Sequence, residues 1–373
     1  MTETGRMLRS TVTDDGVVRL TVVEESVPEP GPDDVVIAVE ASPINPSDLG
    51  MLFAGADPKS LAQDGDALAA RLGDGAMKAN AARLGQAMPA GNEGSGIVIA
   101  AGSSDTAQAL MGKRVAALSG AMYATHSKVS TAMCVEMPES VTAEQAASCF
   151  VNPLTALGMT ETMRMEGHTA LVHTAAASNL GQMLQRICID EGIGLVNIVR
   201  REEQAAMLRS QGAEWVVNSS ADSFRDDLTD ALAATGATIA FDAIGGGRQG
   251  DTILGCMEAA ASRGSGFSRY GSDTHKQVYI YGGLDRSPTP LTRTYGMSWG
   301  VGGWLLTPFL GRIGLEGLTR LRDRVTSEIT TTFASHYSET ISLDEMLDPE
   351  VASRYAVPMT NEKRLVAPGV RRP

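Results

Sequence analysis

The spacing of hydrophobic and polar positions changes near residue 150. Before it, residues 17–40 alternate in short runs broken by proline and glycine, which predicts short β-strands. Gly96–Ala100, Arg114–Leu118 and Cys134–Glu136 predict further short strands. Residues 57–87 are rich in alanine and leucine, and we interpret them as a helical insertion of one or two helices. This front part of the chain is therefore predicted to be an irregular β-rich domain.

From residue 151 onward, apolar runs alternate with helical stretches. The runs are 169–174, 195–199, 214–218, 237–242 and 277–283, and the helices between them are 178–190, 202–211, 222–235 and 248–262. Strands separated by helices of this length form βαβ units, and a parallel sheet then has both faces covered. The pattern predicts an α/β fold with a doubly wound sheet. Residues 315–333 predict a further helix near the end of the chain.

Composition narrows the possible partners. A chain of 373 residues is longer than one hydrophobic core usually grows, which favours two domains. The net charge is −13, with no cluster of lysine and arginine, so nucleic acid and anionic membrane are disfavoured as partners. No signal peptide or bilayer-length apolar run is evident, and the four cysteines are widely spaced. We expect a cytoplasmic protein without disulfides.

The segment "LVHTAAASNLGQM" (171–183) predicts a strand, a turn of small residues and a helix. In a doubly wound fold, the pyrophosphate of a dinucleotide binds at such a helix N-terminus, where free N–H groups and the helix dipole favour negative charge. A small-residue helix packed on a sheet is the alternative interpretation. The candidate cofactor-binding residues here are Thr174, Ala176, Ala177, Ser178, Asn179, Leu180 and Gly181.

The second strand of this domain ends in Arg200 and Arg201, where NAD-binding folds place an acidic residue. A guanidinium binds a 2′-phosphate, whereas a carboxylate repels it, so these residues favour NADPH over NADH. Two solvated arginines are the alternative interpretation. Other candidate cofactor residues follow the later strands, at the edge where open α/β sheets bind ligands: Asn218, Gly245, Gly246, Tyr281, Gly282 and Gly283.

Five motifs together resemble the medium-chain dehydrogenase/reductases, in particular their zinc-independent branch of NADPH:quinone oxidoreductases and enoyl-thioester reductases. The motifs are "VEASPINPSDLGMLF", "PAGNEGSGIVIAAGS", "FVNPLTALGM", "LVHTAAASNLGQM" and "VGGWLLTPF", in the family's order. The resemblance implies a GroES-like β domain from residues 1–150 and 311–373 and a Rossmann domain from residues 151–310, with an active site between them. A homodimer is expected through the strand "QVYIYGG", which should lie towards one edge of the sheet, or through the apolar segment 297–310 after it, which contains Trp304 and Leu305. The resemblance adds weight to this expectation.

The resemblance allows a test for zinc. Zinc-dependent members hold the metal with cysteine and histidine, and Asn92 stands here where their second motif has histidine. We therefore expect no metal. The five histidines are scattered through the sequence and are interpreted as structural.

Without a metal, the expected reaction is hydride transfer from NADPH to a quinone or an α,β-unsaturated carbonyl. The resemblance implies that Asn45 lies near the nicotinamide, as a catalytic and cofactor-binding residue, that Thr155 contacts the cofactor and that Tyr123 lines the cleft as a catalytic candidate. Enoyl-thioester reductases carry a proton-donating tyrosine soon after "NPSD", and this sequence has none before Tyr123. Quinone or enone reduction is therefore preferred. The alternatives are a catalytically weak NADPH-binding structural or regulatory relative, or a 2-enoyl-thioester reductase.

Overall fold

The computed structural model describes residues 4–357 and 363–370. The β-strands are β1 (Thr4–Val12), β2 (Val17–Ser26), β3 (Asp34–Pro43), β4 (Ala62–Asp64), β5 (Ala67–Arg71), β6 (Ala87–Pro89), β7 (Glu93–Ala101), β8 (Arg114–Leu118), β9 (His126–Ser130), β10 (Cys134–Glu136), β11 (Ala170–His173), β12 (Gly194–Val199), β13 (Trp215–Asn218), β14 (Ile239–Asp242), β15 (Lys276–Ile280), β16 (Trp299–Gly303), β17 (Glu339–Ile341) and β18 (Arg364–Val366).

The α-helices are α1 (Asp48–Phe53), α2 (Asp74–Ala79), α3 (Asp105–Ala109), α4 (Ala143–Ala146), α5 (Val151–Met165), α6 (Asn179–Asp190), α7 (Glu202–Ser210), α8 (Phe224–Thr235), α9 (Gln249–Ala261), α10 (Leu306–Ser327) and α11 (Pro349–Tyr355). Short 3-10 helices lie at Pro58–Ser60, Ala81–Arg83, Thr131–Met133 and Glu345–Leu347.

The chain divides into two compact units. The first contains Met1–Val151 and Arg324–Pro373, and the second contains Asn152–Asp323. The boundary at which the second unit ends and the first unit resumes therefore lies inside α10, later than the predicted residue 310. This helix is kinked at Gly314, which has a φ of 69°, and it begins well before the predicted residue 315.

The second unit contains a six-stranded sheet in the order β13-β12-β11-β14-β15-β16. Each pairing in it is parallel. Counted from β11, this is the order 3-2-1-4-5-6 of a dinucleotide-binding fold. The residues of β11 and β14 are all buried, because helices cover both faces of the sheet. The predicted doubly wound Rossmann sheet is confirmed.

The first unit contains two sheets. One has the order β4-β5-β2-β1-β6, and the other has the order β10-β8-β7-β3-β18-β17, with β9 also paired to β3. Strand β18 joins from the far end of the chain, where Leu365 and Val366 pair with Pro43 and Ser42. This unit is the predicted β-rich, GroES-like domain.

The prediction of a helical insertion at residues 57–87 is wrong for its central part. Residues 62–71 form the hairpin β4–β5, closed between Asp64 and Ala67, and β5 extends the first sheet by pairing with β2. Alanine and leucine favour a helix, but Gly65 adopts a positive φ of 60° and makes a tight turn. Only α2 and one 3-10 helix remain helical in the second half of the insertion.

The insertion is anchored to α1. The Arg83 guanidinium donates to the carbonyl of Met51 (3.1 Å), and the Asn80 amide donates to the carbonyl of Ala54 (2.9 Å). Both carbonyls lie at the C-terminal end of α1, where unpaired acceptors need donors. The insertion thus stabilises the helix that follows Asn45.

Candidate functional site

The turn between β11 and α6 has the backbone conformation that such turns normally obtain from glycine. Ala175 has a φ of 50°, in the left-handed region that side chains other than glycine rarely adopt. The Ala176 N–H donates to the carbonyl of Ile198 (3.2 Å), which ties the turn to the end of β12. Ser178 then caps α6, because its hydroxyl accepts from the Gly181 N–H (3.2 Å). The turn therefore has a fixed backbone conformation despite its missing glycines, and its role as a phosphate cradle stays a prediction.

Gly181 is required by the close approach of α6 to this turn. A Cβ at residue 181 would lie 2.1 Å from the carbonyl oxygen of Ala176. The backbone of the turn occupies that position, so no other residue fits without a shift.

Three side chains predicted at the cradle face the interior instead. Ala176 and Ala177 are buried in a cluster with Val199 and Leu208, and Leu180 is buried as well. These residues can offer only backbone N–H groups to a ligand. Ala175, Ser178 and Asn179 are partly exposed.

Arg200 and Arg201 lie beside this turn, at the end of β12. Both side chains are exposed, and neither forms an ion pair with a described residue. The side-chain carbonyl of Gln204 accepts from both backbone N–H groups, which fixes the start of α7. Asn218 ends the neighbouring strand opposite Val199, and its side chain closes a turn by accepting from the N–H of Ser220 (3.0 Å). The two guanidiniums therefore remain available to an anion.

Thr174 is buried and organises the sheet rather than facing a ligand. Its hydroxyl donates to Asp242 (2.7 Å) and accepts from the N–H of Ala243 (2.8 Å). The buried Asp242 carboxylate also accepts from the N–H of Ile244 (2.9 Å) and of Gly245 (3.2 Å). This network fixes the loop after β14 to the end of β11.

The predicted glycines after β14 and β15 pack against each other. A Cβ at Gly245 would lie 2.7 Å from the carbonyl oxygen of Gly282, and one at Gly282 would lie 2.6 Å from that of Ala243. One at Gly246 would lie 2.7 Å from Asp285. Close packing of the two loops is thus sufficient to explain these three glycines, whereas Gly283 is exposed and unconstrained.

Tyr281 is joined to His173 at the same edge of the sheet. Its hydroxyl lies 2.7 Å from His173 Nε2, and the two rings stack with centroids 5.8 Å apart. Burial lowers the pKa of His173 to about 3, so its imidazole is neutral. The second unit thus brings together the turn, the two arginines, Asn218 and the loops after β14 and β15.

Asn45 lies in the first unit, directly after β3, and is buried. Its side-chain NH2 donates to Glu93 Oε1 (2.9 Å), and Glu93 Oε2 accepts from the N–H groups of Phe150 (2.8 Å) and Val151 (2.9 Å). The carbonyl oxygen of the Asn45 side chain is buried without a hydrogen-bond partner among the described residues. A buried acceptor of this kind favours a ligand that carries a donor.

Asp48 supports the same segment. Its carboxylate accepts from the backbone N–H of Asn45 (2.8 Å) and of Asn92 (2.9 Å). Burial raises the pKa of Asp48 to about 7, although these two bonds act in the opposite direction. Two fully buried carboxyl groups, Asp48 and Glu93, therefore hold Asn45 in place.

The structure does not support Tyr123 as a residue that contacts substrate. Its side chain is completely buried in the first unit, and its hydroxyl donates to the carbonyl of Pro43 (3.1 Å). Burial raises the pKa of Tyr123 well above its usual value, which disfavours proton transfer. The sequence showed a tyrosine in the expected segment but not the direction of its side chain. Thr155 is buried in α5.

Three buried polar residues were not predicted from the sequence: Asp48, Glu93 and Asp242. Each adjoins an apolar or small-residue run, and a polar residue there is a signal of a buried hydrogen-bond network. Within residues 4–357 and 363–370, no three or more His, Cys, Asp or Glu side chains form a group that could hold a metal ion. Over the same residues, no helix is long and apolar enough to cross a membrane.

Comparison with solved structures identifies the fold. A protein from Mesorhizobium loti assigned as an NADPH:quinone reductase superimposes with a TM-score of 0.75 and 25% identity, covering 99% of each chain. The quinone oxidoreductase of Escherichia coli, solved with NADPH, has a TM-score of 0.69 and 18% identity, covering 98% of this chain and 100% of that one. These structural neighbours fit the resemblance of the five motifs to the medium-chain dehydrogenase/reductases. The family resemblance predicted from the five motifs is confirmed.

A curated relative is the mitochondrial enoyl-[acyl-carrier-protein] reductase of Xenopus tropicalis. It is 29% identical over 212 residues, which are 54% of this chain and 52% of the relative. The chain thus spans about half the length of the curated relative it matches. No protein-family model matches the chain.

Proposed function

We propose that this chain is an NADPH-dependent reductase that transfers hydride to a quinone or an α,β-unsaturated carbonyl without a metal. The cradle at residues 174–181, with Arg200 and Arg201 beside it, is the observation that carries the proposal. Small residues allow the backbone to approach a pyrophosphate, and α6 directs its N-terminal N–H groups towards it. The solved E. coli quinone oxidoreductase, which shares the fold, binds NADPH.

The residues present fit NADPH better than NADH. The exposed guanidiniums of Arg200 and Arg201 suit the 2′-phosphate, because bidentate hydrogen bonds to phosphate are a property of arginine. No carboxylate lies at the end of β12 to bind a ribose 2′-hydroxyl. The first carboxylate along the chain after β12 belongs to Glu202, which pairs with Arg209 (2.7 Å). In the first unit, the unpartnered Asn45 oxygen suits a donor on the cofactor.

Bound NADPH supplies the hydride, and the protein supplies binding, orientation and the exclusion of water. Asn45 contributes a hydrogen-bond acceptor, because its NH2 group is already directed to Glu93. Tyr123 is enclosed, so the proton that follows hydride transfer comes from solvent. Quinones and enones accept solvent protons readily, which favours them as substrates.

The relatives support two acceptor classes. The M. loti protein is assigned as a quinone reductase, and the Xenopus relative reduces enoyl thioesters of acyl carrier protein by its name. The buried state of Tyr123 favours the quinone or enone class. The other candidate function is that of a catalytically weak, NADPH-binding relative. For the assembly, we propose a homodimer.

The test is NADPH oxidation by the purified protein with quinones, enones and enoyl-CoA esters, each measured against NADH. We expect turnover of a quinone or enone with NADPH and little with NADH. Turnover of enoyl-CoA alone would reassign the substrate, and tight NADPH binding without turnover would support the weak relative. Absence of NADPH binding would contradict the proposal.

A further inference from the structure

The side chain of Asn45 has two chemically opposite ends, and only one is engaged. Its NH2 group donates to Glu93 Oε1 at 2.9 Å, while its carbonyl oxygen has no partner among the residues the structure describes. Asn45 is only 1% exposed, and Glu93 is completely buried. Water therefore does not compete freely for either group.

Glu93 fixes the direction of this amide. A carboxylate accepts hydrogen bonds and donates none, so it can face the NH2 end of an asparagine but not the carbonyl end. The other oxygen of Glu93 accepts from the backbone N–H groups of Phe150 and Val151, at 2.8 and 2.9 Å. These bonds hold the carboxylate at the start of α5, and its rotation would break both of them.

We propose that Glu93 is a positioning residue that makes Asn45 present a hydrogen-bond acceptor to a donor on NADPH. The inference rests on the proposed function. Two donors on the nicotinamide half of the cofactor have the required chemistry: the carboxamide NH2 and a ribose hydroxyl. Glu93 does not contact the cofactor and acts through the amide of Asn45.

Glu93→Gln tests this polarity. The glutamine carbonyl can still accept from Phe150 and Val151, but its NH2 group then faces Asn45. The Asn45 amide must rotate to accept that bond, and it then directs its own NH2 end towards the ligand. The variant thus converts an acceptor into a donor with almost no change in shape.

The matched control is Ser42→Ala. The Ser42 hydroxyl donates to the backbone carbonyl of Glu93 (2.7 Å), so its loss disturbs the same strand without touching the carboxylate. Both positions are completely buried, which makes their effects on stability comparable. Thermal unfolding of both variants gives the structural cost separately from cofactor affinity.

The experiment measures dissociation constants by quenching of protein fluorescence for NADPH and two analogues. One analogue has a methyl ketone in place of the carboxamide, and the other lacks the hydroxyls of the nicotinamide ribose. We expect wild type and Ser42→Ala to bind one analogue about tenfold more weakly than NADPH, which identifies the donor. Glu93→Gln should bind NADPH about tenfold more weakly than wild type does. It should also lose the wild-type preference for NADPH over that analogue.

Equal wild-type affinity for NADPH and both analogues would overturn the inference, as would a Glu93→Gln variant that keeps the wild-type preference. If Glu93→Gln does not fold, Asn45→Ala provides the test. The inference is overturned if Asn45→Ala, which lacks the amide, still prefers NADPH to the analogue. Failure of the wild type to bind NADPH at all would contradict the proposed function instead.

Discussion

Gly181 packs directly against Ala176: a Cβ added to Gly181 would lie 2.1 Å from the Ala176 carbonyl oxygen. This contact sets the distance between α6 and the turn that precedes it. The predicted phosphate cradle therefore depends on one glycine, although such turns usually carry three.

Gly181→Ala is expected to displace the turn and weaken NADPH binding more than tenfold. Forcing a methyl group into backbone costs about 1–3 kcal/mol of folding free energy. The control is Gly250→Ala in α9, where a Cβ would meet nothing closer than 3.7 Å. Calorimetry and NADPH titration of both variants check the prediction, and unchanged affinity in Gly181→Ala would contradict it.

Ala175→Gly is expected to stabilise the protein. Ala175 holds a φ of 50°, which costs about 1–2 kcal/mol, while the added freedom of glycine in the unfolded chain offsets part of the gain. A net gain of about 0.5–1 kcal/mol should appear in urea unfolding, with NADPH affinity unchanged. Ala176→Gly is the control and is expected to lower the stability, because Ala176 is buried and does not have a positive φ. A loss of stability in Ala175→Gly would show that this conformation is not strained.

Arg200→Ala and Arg201→Ala are expected to lower NADPH affinity about ten- to a hundredfold and to leave NADH affinity nearly unchanged. Loss of one charged hydrogen bond to phosphate has this magnitude. Arg209→Ala, which removes an exposed pair with Glu202 on the same helix, should change neither affinity. Equal wild-type affinities for the two cofactors would refute the assignment.

Lys276→Met is expected to destabilise the fold by about 3–5 kcal/mol, because it leaves the partner of a buried ion pair uncompensated. Lys276 is completely buried, and its ammonium donates to Glu258 (2.6 Å), Ser272 (3.0 Å) and the carbonyl of Thr274 (2.7 Å). The exposed pair of Lys113 and Glu136 provides the control, and Lys113→Met should cost less than about 1 kcal/mol.

The same pair sets an acid limit on stability. Burial alone would raise the pKa of Glu258, but Lys276 and hydrogen bonds from Ser272 and Ser262 lower it to about 2, from 4.5. A depressed carboxyl pKa contributes stability above pH 4.5 that is lost as the pH falls towards 2. Urea unfolding of wild type between pH 7 and pH 3 should show this loss, and Glu258→Gln should flatten it.

Val301→Pro tests the proposed homodimer. The outer edge of the Rossmann sheet is β16, not the predicted strand at 277–283, which lies inside it as β15. The backbone N–H of Trp304 donates to the carbonyl of Ile280 in β15 (2.9 Å). Because successive residues of a strand direct their backbone N–H groups to opposite sides, the N–H of Val301 points away from β15. A proline at residue 301 therefore blocks pairing with another chain while the fold tolerates it. Light scattering should show monomers for Val301→Pro and dimers for Val301→Ala.

Trp304, predicted to contribute to that interface, is not a suitable probe of it. Its indole N–H donates to Thr162 (3.0 Å), and its ring packs on Gly158 and Phe309. A substitution there would damage the core of the second unit whether or not a dimer forms. Leu305 is exposed and belongs to the surface.

The parts of the fold that depend on long apolar runs were predictable. Strands β11 to β15 and helices α6 to α9 occur within a few residues of their predicted positions, because buried parallel strands and amphipathic helices leave strong periodic patterns. The hairpin at 62–71 was not predictable from alanine and leucine content. A two-residue turn at Gly65 and pairing with β2 outweighed local helix propensity there.

The candidate site was predictable by position but not by side-chain direction. Small residues and arginines marked the cradle, yet the sequence did not show that Ala176 and Ala177 face inwards or that Ala175 adopts a positive φ. Asn45 was found, whereas its partner Glu93 lies 48 residues away along the chain. Such partners depend on tertiary packing, which a single sequence does not display.

The pairing of β18 with β3 links the last strand of the chain to the first residue of the candidate site. The N–H of Ile44, directly before Asn45, donates to the carbonyl of Arg364 (2.9 Å). During synthesis on a ribosome, the six strands of the Rossmann sheet emerge before β17 and β18 do. A nascent chain can therefore acquire its dinucleotide cradle while the backbone around Asn45 still lacks its final neighbour. The backbone around Asn45 is therefore completed by the part of the chain that is synthesised last, after every strand of the Rossmann sheet.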